Sequence, residues 1–156
     1  MSMDIYSKIQ NALTAAMKAR DEDTKRTLRL VMSAIKLAEM EEHSHLDEGN
    51  HLDEARILSI LQKEVKTRED AIAEAESADR TDLVTAAKKE IVILNRFLPK
   101  QMDKNELEAL VKQVIEETNA SGIRDMGEVM KNLMPKLEGR ASGQEASKIV
   151  KELLQK

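Results

Sequence analysis

Residues 91–102 read Ile-Val-Ile-Leu-Asn-Arg-Phe-Leu-Pro-Lys-Gln-Met, an apolar run that stops at a proline. Apolar side chains recur through this region at three- and four-residue spacing, which predicts one face of a helix; they are Leu83, Ala87, Ile91, Leu94 and Leu98. Proline lacks an N–H and disfavours helical geometry at the residue before it. Leu98 is therefore predicted to be the last residue near helical conformation.

A second helix is predicted to begin directly after this stop. Asp103 as N-cap and Glu106 three residues later form a capping-box pattern ahead of another apolar series. We interpret the joint as the boundary between an N-terminal helical domain, residues 1–98, and a small C-terminal helical domain, residues 99–156. A kink within one continuous bundle is the alternative, because short helix connections are also common inside bundles.

The composition favours an all-α fold. Hydrophobic residues make up 41% of the 156-residue chain, which is enough for a core. Aromatic residues are limited to Tyr6 and Phe97, and nine residues are methionine. Strands draw on aromatic and β-branched residues, whereas Leu, Met, Ala, Glu, Lys and Arg are good helix formers. No segment of the sequence predicts a strand.

Several classes of protein are excluded or disfavoured by what the sequence lacks. Without cysteine there is no disulfide, thiolate metal site or thiol nucleophile. No serine-nucleophile or phosphate-binding glycine motif is present, so we predict no catalytic residue and no cofactor. The first residues contain no apolar signal-peptide core, and no apolar run approaches membrane-spanning length, so we expect a cytoplasmic protein and no membrane partner.

Four helices are predicted in the N-terminal part. They span residues 4–19, residues 21–42, a stretch from Asp53 or Glu54 to about Ser77, and a last helix capped by Thr81. On the third helix, Glu64 and Arg68 are predicted to lie on the exposed face. Three shorter helices are predicted in the C-terminal part, at about 104–118, from Asp125 to a stop at Pro135 and Gly139, and after Gly143.

Three histidines, His43, His45 and His51, lie among acidic residues between the second and third predicted helices. Histidines two residues apart can chelate a metal weakly, but a defined site needs further groups that orient the rings. This stretch has no helical period and contains a turn-forming Gly-Asn pair. We interpret it as a solvated loop and predict no metal site.

The loop Gly139-Arg140-Ala141 is the strongest candidate for a binding site. It leads into a helix whose predicted exposed face carries Lys148 and Lys151, and Lys136 lies just upstream. A glycine loop that opens a helix N-terminus and is flanked by basic side chains can hold a phosphate. A plain surface turn is the alternative, because Glu138 reduces the local positive field.

Four segments in order resemble the YqeY family of small bacterial proteins. They are residues 27–36, Thr-Leu-Arg-Leu-Val-Met-Ser-Ala-Ile-Lys; residues 61–68, Leu-Gln-Lys-Glu-Val-Lys-Thr-Arg; residues 97–102, Phe-Leu-Pro-Lys-Gln-Met; and residues 125–141, which begin Asp-Met-Gly-Glu-Val-Met and end Pro-Lys-Leu-Glu-Gly-Arg-Ala. The resemblance runs essentially from end to end. It implies an all-α fold with a helical N-terminal domain and a small helical domain similar to the tail of GatB, a subunit of the glutamine-dependent tRNA amidotransferase.

The same resemblance implies a role for the candidate loop. In GatB the tail helps to engage tRNA, and Lys136, Gly139, Arg140 and Ala141 fall on its K-G-K-A-like loop. A tRNA contact is carried over to Lys136 and Arg140 alone. Glu138 departs from the pattern, since relatives usually have lysine there, and it replaces an attraction to phosphate with a repulsion.

The sequence is compatible with three functions. The first is a non-catalytic accessory protein that associates with tRNA or another structured RNA through Lys136, Arg140, Lys148 and Lys151. The second is direct participation in a carbon–nitrogen ligase reaction with glutamine as amido donor, as the resemblance would allow. The third is a helical adaptor that binds a partner protein through its charged helices.

Overall fold

The computed structural model describes residues 4–42 and 52–155. Within these ranges the fold is all-α, as the sequence predicts, and contains seven α-helices with no strand. They are α1 Ile5–Ala19, α2 Glu22–Glu41, α3 Glu54–Ser77, α4 Thr81–Asn95, α5 Lys104–Glu117, α6 Met126–Leu137 and α7 Gly143–Leu154. A 3-10 turn, Ile123–Asp125, precedes α6. The chain divides into two compact units, Met1–Leu98 and Pro99–Lys156. Independent folding of the two units stays a prediction.

Aspartates start four of the helices, and this explains why their N-termini could be recognised in the sequence. The carboxylates of Asp4, Asp21, Asp53 and Asp103 each accept a hydrogen bond from the backbone N–H three residues later. An unpaired N–H at a helix start needs such an acceptor. The predicted N-cap at Asp103 is confirmed by a distance of 2.7 Å from its Oδ1 to the Glu106 nitrogen.

Helix α4 differs from its prediction at both ends. Arg80, not Thr81, occupies the N-cap position, and no side chain caps this helix start. The helix ends at Asn95, and the N–H groups of Phe97 and Leu98 then bond to carbonyls three residues back. This tighter hydrogen bonding closes the helix ahead of the proline. The α-helix proper therefore stops three residues before Leu98, and turns of 3-10 type continue from there to Leu98.

Two residues differ in exposure from what the predicted helix faces require. Leu83, assigned to the apolar stripe of α4, is 49% exposed, whereas Ala87 and Leu94 of that stripe are buried. Arg68, predicted to be exposed, is buried on α3 and only 7% exposed. Both predictions are wrong because the two residues line a groove between α3 and α4, whose small alanine side chains leave room for the Arg68 guanidinium and cover little of Leu83.

Arg68 joins α3 to α4 through Glu90 and also pairs with a glutamate of its own helix. Its Nε lies 2.8 Å from Oε2 of Glu90 on α4, and its Nη1 lies 2.7 Å from Oε2 of Glu64 on its own helix. The same Nη1 donates to the Glu64 carbonyl at 3.0 Å. A buried charge is stable only when it is paired and hydrogen-bonded, and Arg68 meets both conditions.

The core of the N-terminal unit lies where α1, α2, α3 and α4 meet. Its buried side chains are aliphatic, as the scarcity of aromatic residues requires; they are Ile9, Leu28, Val31, Ile35, Ala38, Leu52, Ile57, Ile60, Leu61, Ile93 and Leu94. Tyr6 and Phe97, the two aromatic residues, pack against this core while partly exposed.

The C-terminal unit has a separate aliphatic core built by α5, α6 and α7. Its members are Leu107, Val111, Val114, Val129, Leu133, Leu137, Ala141, Ala146, Val150 and Leu154. Pro135 lies inside α6 and does not end it, so that prediction is wrong. Proline in the last turn removes a single N–H, and burial of Leu133 and Leu137 on either side of it offsets that loss.

Thr27 on α2 has a buried hydroxyl, and its Oγ1 has no hydrogen-bond partner in the described part of the chain. An unpaired polar group in a core costs about 1–3 kcal/mol. Replacing Thr27 by valine, which has the same shape, is therefore expected to raise the free energy of unfolding by about 1 kcal/mol. Urea-induced unfolding followed by circular dichroism measures the change.

Thr24, one turn earlier on the same helix, is the matched control. It is also buried, but its Oγ1 donates to Oδ2 of Asp21 at 2.7 Å. Thr24→Val removes a hydrogen bond to the N-cap and is expected to destabilise the protein. Equal effects of the two substitutions would show that the Thr27 hydroxyl is paired in solution.

Candidate nucleic-acid interface

Lys136 lies in the last turn of α6, where its side chain reaches back to α5. Its Nζ is 2.7 Å from Oε2 of Glu117. The hydrogen bond from Lys136, with a second from Gln113, holds the pKa of the Glu117 carboxyl below its ordinary value. The Glu117 carboxyl therefore stays ionised at neutral pH. A phosphate that binds Lys136 has to compete with this carboxylate.

The loop after α6 turns through two consecutive left-handed residues, Glu138 with φ 50° and Gly139 with φ 75°. Glycine adopts this conformation without a steric penalty, which explains Gly139 at this point. The Arg140 N–H closes the turn by donating to the Leu137 carbonyl at 2.8 Å. This N–H is consequently used within the protein, and Glu138 remains exposed at the start of the loop.

Arg140 holds the loop against the segment that leads into α5. Its Nε donates to the Lys100 carbonyl at 2.8 Å, and its Nη2 lies 3.0 Å from Oε2 of Glu106. The backbone adds a third link, since the Met102 N–H donates to the Arg140 carbonyl at 2.8 Å. Gln101 contributes a fourth through Nε2 to the Gly139 carbonyl at 3.0 Å. Arg140 thus has a structural role that sequence reasoning missed.

Lys148 and Lys151 lie on the exposed face of α7, and no ion pair joins either of them to another described residue. With Gln144 and Gln155 they form a row at spacings of four, three and four residues, so the four side chains follow one line along the helix. This row, called here the α7 donor row, contains no carboxylate. Its four side chains all offer hydrogen-bond donors, and two of them carry positive charge.

The N-terminus of α7 is less suited to an anion than the donor row. Ser142 caps it, with Oγ accepting from the Glu145 N–H at 3.1 Å. The cap occupies one of the free N–H groups, and the Glu145 carboxylate places negative charge in the first turn. Of the four predicted RNA contacts, Lys136 and Arg140 are therefore paired within the protein, and Lys148 and Lys151 are available.

The profile of the YqeY-like protein family matches residues 6–154, nearly the whole chain. The chain belongs to the YqeY family. An uncharacterized protein of Schizosaccharomyces pombe is 30% identical over 96 residues, which cover 62% of this chain and 73% of that protein. A Pyrenophora tritici-repentis protein named altered inheritance of mitochondria protein 41, mitochondrial, is 27% identical over 154 residues, which cover 96% of this chain and 81% of that protein.

The three histidines of this YqeY-family chain lie outside the described residues, and so does the stretch that the sequence predicts to be a solvated loop. Across residues 4–42 and 52–155, no three metal-ligating side chains are grouped closely enough to hold an ion. No described helix is both long and apolar enough to cross a membrane.

Proposed function

We propose that this YqeY-family protein is a non-catalytic accessory protein that associates with tRNA or another structured RNA through its C-terminal unit. The observation that supports it is the α7 donor row, in which Lys148 and Lys151 face solvent without a carboxylate partner. Lysines placed in this way bind phosphates as point charges. The resemblance of this unit to the tail of GatB favours tRNA as the RNA.

Within this proposal the four basic residues contribute differently. Lys148 and Lys151 make the first contacts, because binding them breaks no interaction of the protein. Lys136 and Arg140 contribute only when phosphate displaces Glu117 and Glu106, respectively. Base stacking is not part of the proposal, because the C-terminal unit contains no aromatic side chain. Affinity is therefore modest and depends strongly on salt.

Lys148→Gln and Lys151→Gln are each expected to weaken binding of labelled tRNA and to reduce the slope of log affinity against log salt by about one unit, as for the loss of one phosphate contact. Glutamine keeps a long polar side chain of the kind already present in the donor row. Lys89→Gln on α4, also an exposed lysine, is the charge-matched control and is expected to leave the slope unchanged.

Two further variants test the loop. Glu138→Lys is expected to tighten binding, since it removes a repulsive carboxylate and adds a cation. Arg140→Ala is expected to weaken binding and also to lower the melting temperature, because it detaches the loop from Lys100 and Glu106. Identical titrations for wild type, Lys148→Gln and Lys151→Gln, or no binding at low salt, would contradict the proposal and favour the adaptor function.

The enzyme alternative is measured on the same preparations. Ammonia release from glutamine that follows the protein through purification would favour direct participation in carbon–nitrogen ligase chemistry. A cytoplasmic location is part of our proposal; imaging of the tagged chain in its native cell tests it against the mitochondrial location named for the fungal relative.

A further inference from the structure

Helix α2 carries large apolar side chains on two opposite faces. Its inner face packs into the N-terminal core through residues such as Leu28 and Ile35, which are 0 and 1% exposed. On the outer face, Leu30, Leu37 and Met40 are 50, 58 and 64% exposed. Single exposed apolar residues are common on protein surfaces, but three on one helical line form a candidate interaction surface.

The outer face has the spacing of a coiled-coil seam. Leu30, Ser33, Leu37 and Met40 are separated by three, four and three residues, which are the a and d positions of a heptad. In this register the buried Leu28 and Ile35 both fall at position f, on the far side of the helix. The seam is thus directed away from the protomer core and fits another helix.

The charges beside the seam are complementary in one arrangement of two α2 helices. Arg29 and Lys36 occupy the g positions, and Ala34 and Glu41 occupy the e positions. In a parallel pair each g residue faces the e residue five positions later in the other helix, so Lys36 faces Glu41 of the second copy. Two-fold symmetry forms this ion pair twice. An antiparallel pair would instead bring the basic g positions of both copies together.

Lys36 and Glu41 are both exposed, and no ion pair joins either of them to another described residue of the protomer. We propose that the outer face of α2 binds the same face of a second copy of this chain, with the two α2 helices parallel. The apolar contact covers about three helical turns, which is small beside a standard interface of about 800 Å² per partner. The dimer is accordingly weak and forms at high protein concentration.

Sedimentation velocity of the full chain over a wide concentration range tests this association. The wild-type protein is expected to shift from monomer toward dimer as concentration rises, and Leu37→Asp is expected to remain monomeric. Met17→Asp replaces another half-exposed apolar residue, on α1, and is expected to associate like wild type. A wild-type protein that stays monomeric throughout, or equal loss of association in both variants, would overturn the proposal.

A charge exchange tests the pairing across the seam. Lys36→Glu places two carboxylates opposite each other at both symmetric positions and is expected to weaken dimerisation at least about tenfold. Adding Glu41→Lys to that variant reverses both charges and is expected to restore wild-type association. A double variant as weak as the single one would disprove the Lys36–Glu41 contact.

Cysteine crosslinking tests the direction, and the native chain contains no cysteine that would interfere. Leu30→Cys is expected to form a disulfide-linked dimer on mild oxidation, because identical a positions are adjacent in a parallel pair. In an antiparallel pair residue 30 instead faces residue 40 of the second copy. Crosslinking of Leu30→Cys only when mixed with Met40→Cys would overturn the parallel arrangement.

Discussion

Replacing Arg68 by methionine is expected to lower the free energy of unfolding by about 3 kcal/mol. The guanidinium is buried between Glu64 and Glu90, whose side chains are 24 and 20% exposed. Methionine fills a similar volume but leaves two partly buried carboxylates without a counter-ion, and breaking a buried ion pair in this way costs about 3–5 kcal/mol. Urea titration followed by circular dichroism provides the measurement.

Arg26→Met is the control for Arg68→Met. Arg26 also lies on a helix and pairs with an acid, Asp23, but both side chains are about half exposed. Exposed ion pairs contribute little, so a much smaller change in the free energy of unfolding is expected.

A second comparison removes the unpaired charges. Adding Glu64→Gln and Glu90→Gln to Arg68→Met is expected to recover most of the lost stability. Equal stability of Arg68→Met and wild type would show that the cluster contributes nothing.

Leu133→Ala is expected to unfold the C-terminal unit while the N-terminal unit remains folded. Leu133 is 0% exposed at the centre of the second core, and such a truncation costs about 2–5 kcal/mol. A unit of about 60 residues has a total stability of only several kcal/mol, so the loss is of the same size as the whole. Amide signals of α5, α6 and α7 in NMR spectra should collapse to unfolded positions, and those of α1–α4 should persist.

Met134, the next residue on α6, provides the matched control for this substitution. It is 48% exposed, so Met134→Ala removes a side chain of similar size without opening a core cavity. We expect its spectrum to match that of wild type. Simultaneous loss of signals from both units in Leu133→Ala would show that they fold as one, which would contradict the two-domain prediction.

The sequence predicted the fold well because most of its signals are local. Aspartate caps and three- and four-residue apolar spacing are visible over a few positions, and the helix starts at Glu54 and Lys104 follow from them. The predicted helix end at Pro135 was wrong. The loss of one N–H is visible in the sequence, whereas the burial of Leu133 and Leu137 that offsets it depends on packing against the other helices. Tertiary packing decided the outcome there.

The candidate site and the buried Arg68 cluster were harder to predict from the sequence, because their decisive contacts join residues that are distant along the chain. Arg68 pairs with Glu90 across 22 positions, and Arg140 contacts Lys100 and Glu106 across 40 and 34. Helical period assigned Arg68 to solvent. The glycine loop ahead of a helix, with its basic neighbours and its resemblance to the tail of GatB, assigned Arg140 to phosphate. An arginine flanked by several acids is compatible with either role, so only the packed structure identifies its acceptors.

Because Arg140 is bonded to Lys100 and Glu106, a ligand that binds Arg140 would change the contacts of the loop. An RNA phosphate that captures the guanidinium has to take the place of a backbone carbonyl and a carboxylate. The segment before α5 then loses its attachment through Lys100, and α5 loses the one through Glu106. The amide of Met102, which donates to the Arg140 carbonyl, is then expected to exchange faster with solvent. RNA held only by the α7 donor row leaves that exchange rate unchanged. Under the proposed RNA-binding function, the same arginine would couple capture of a phosphate to local opening of the chain.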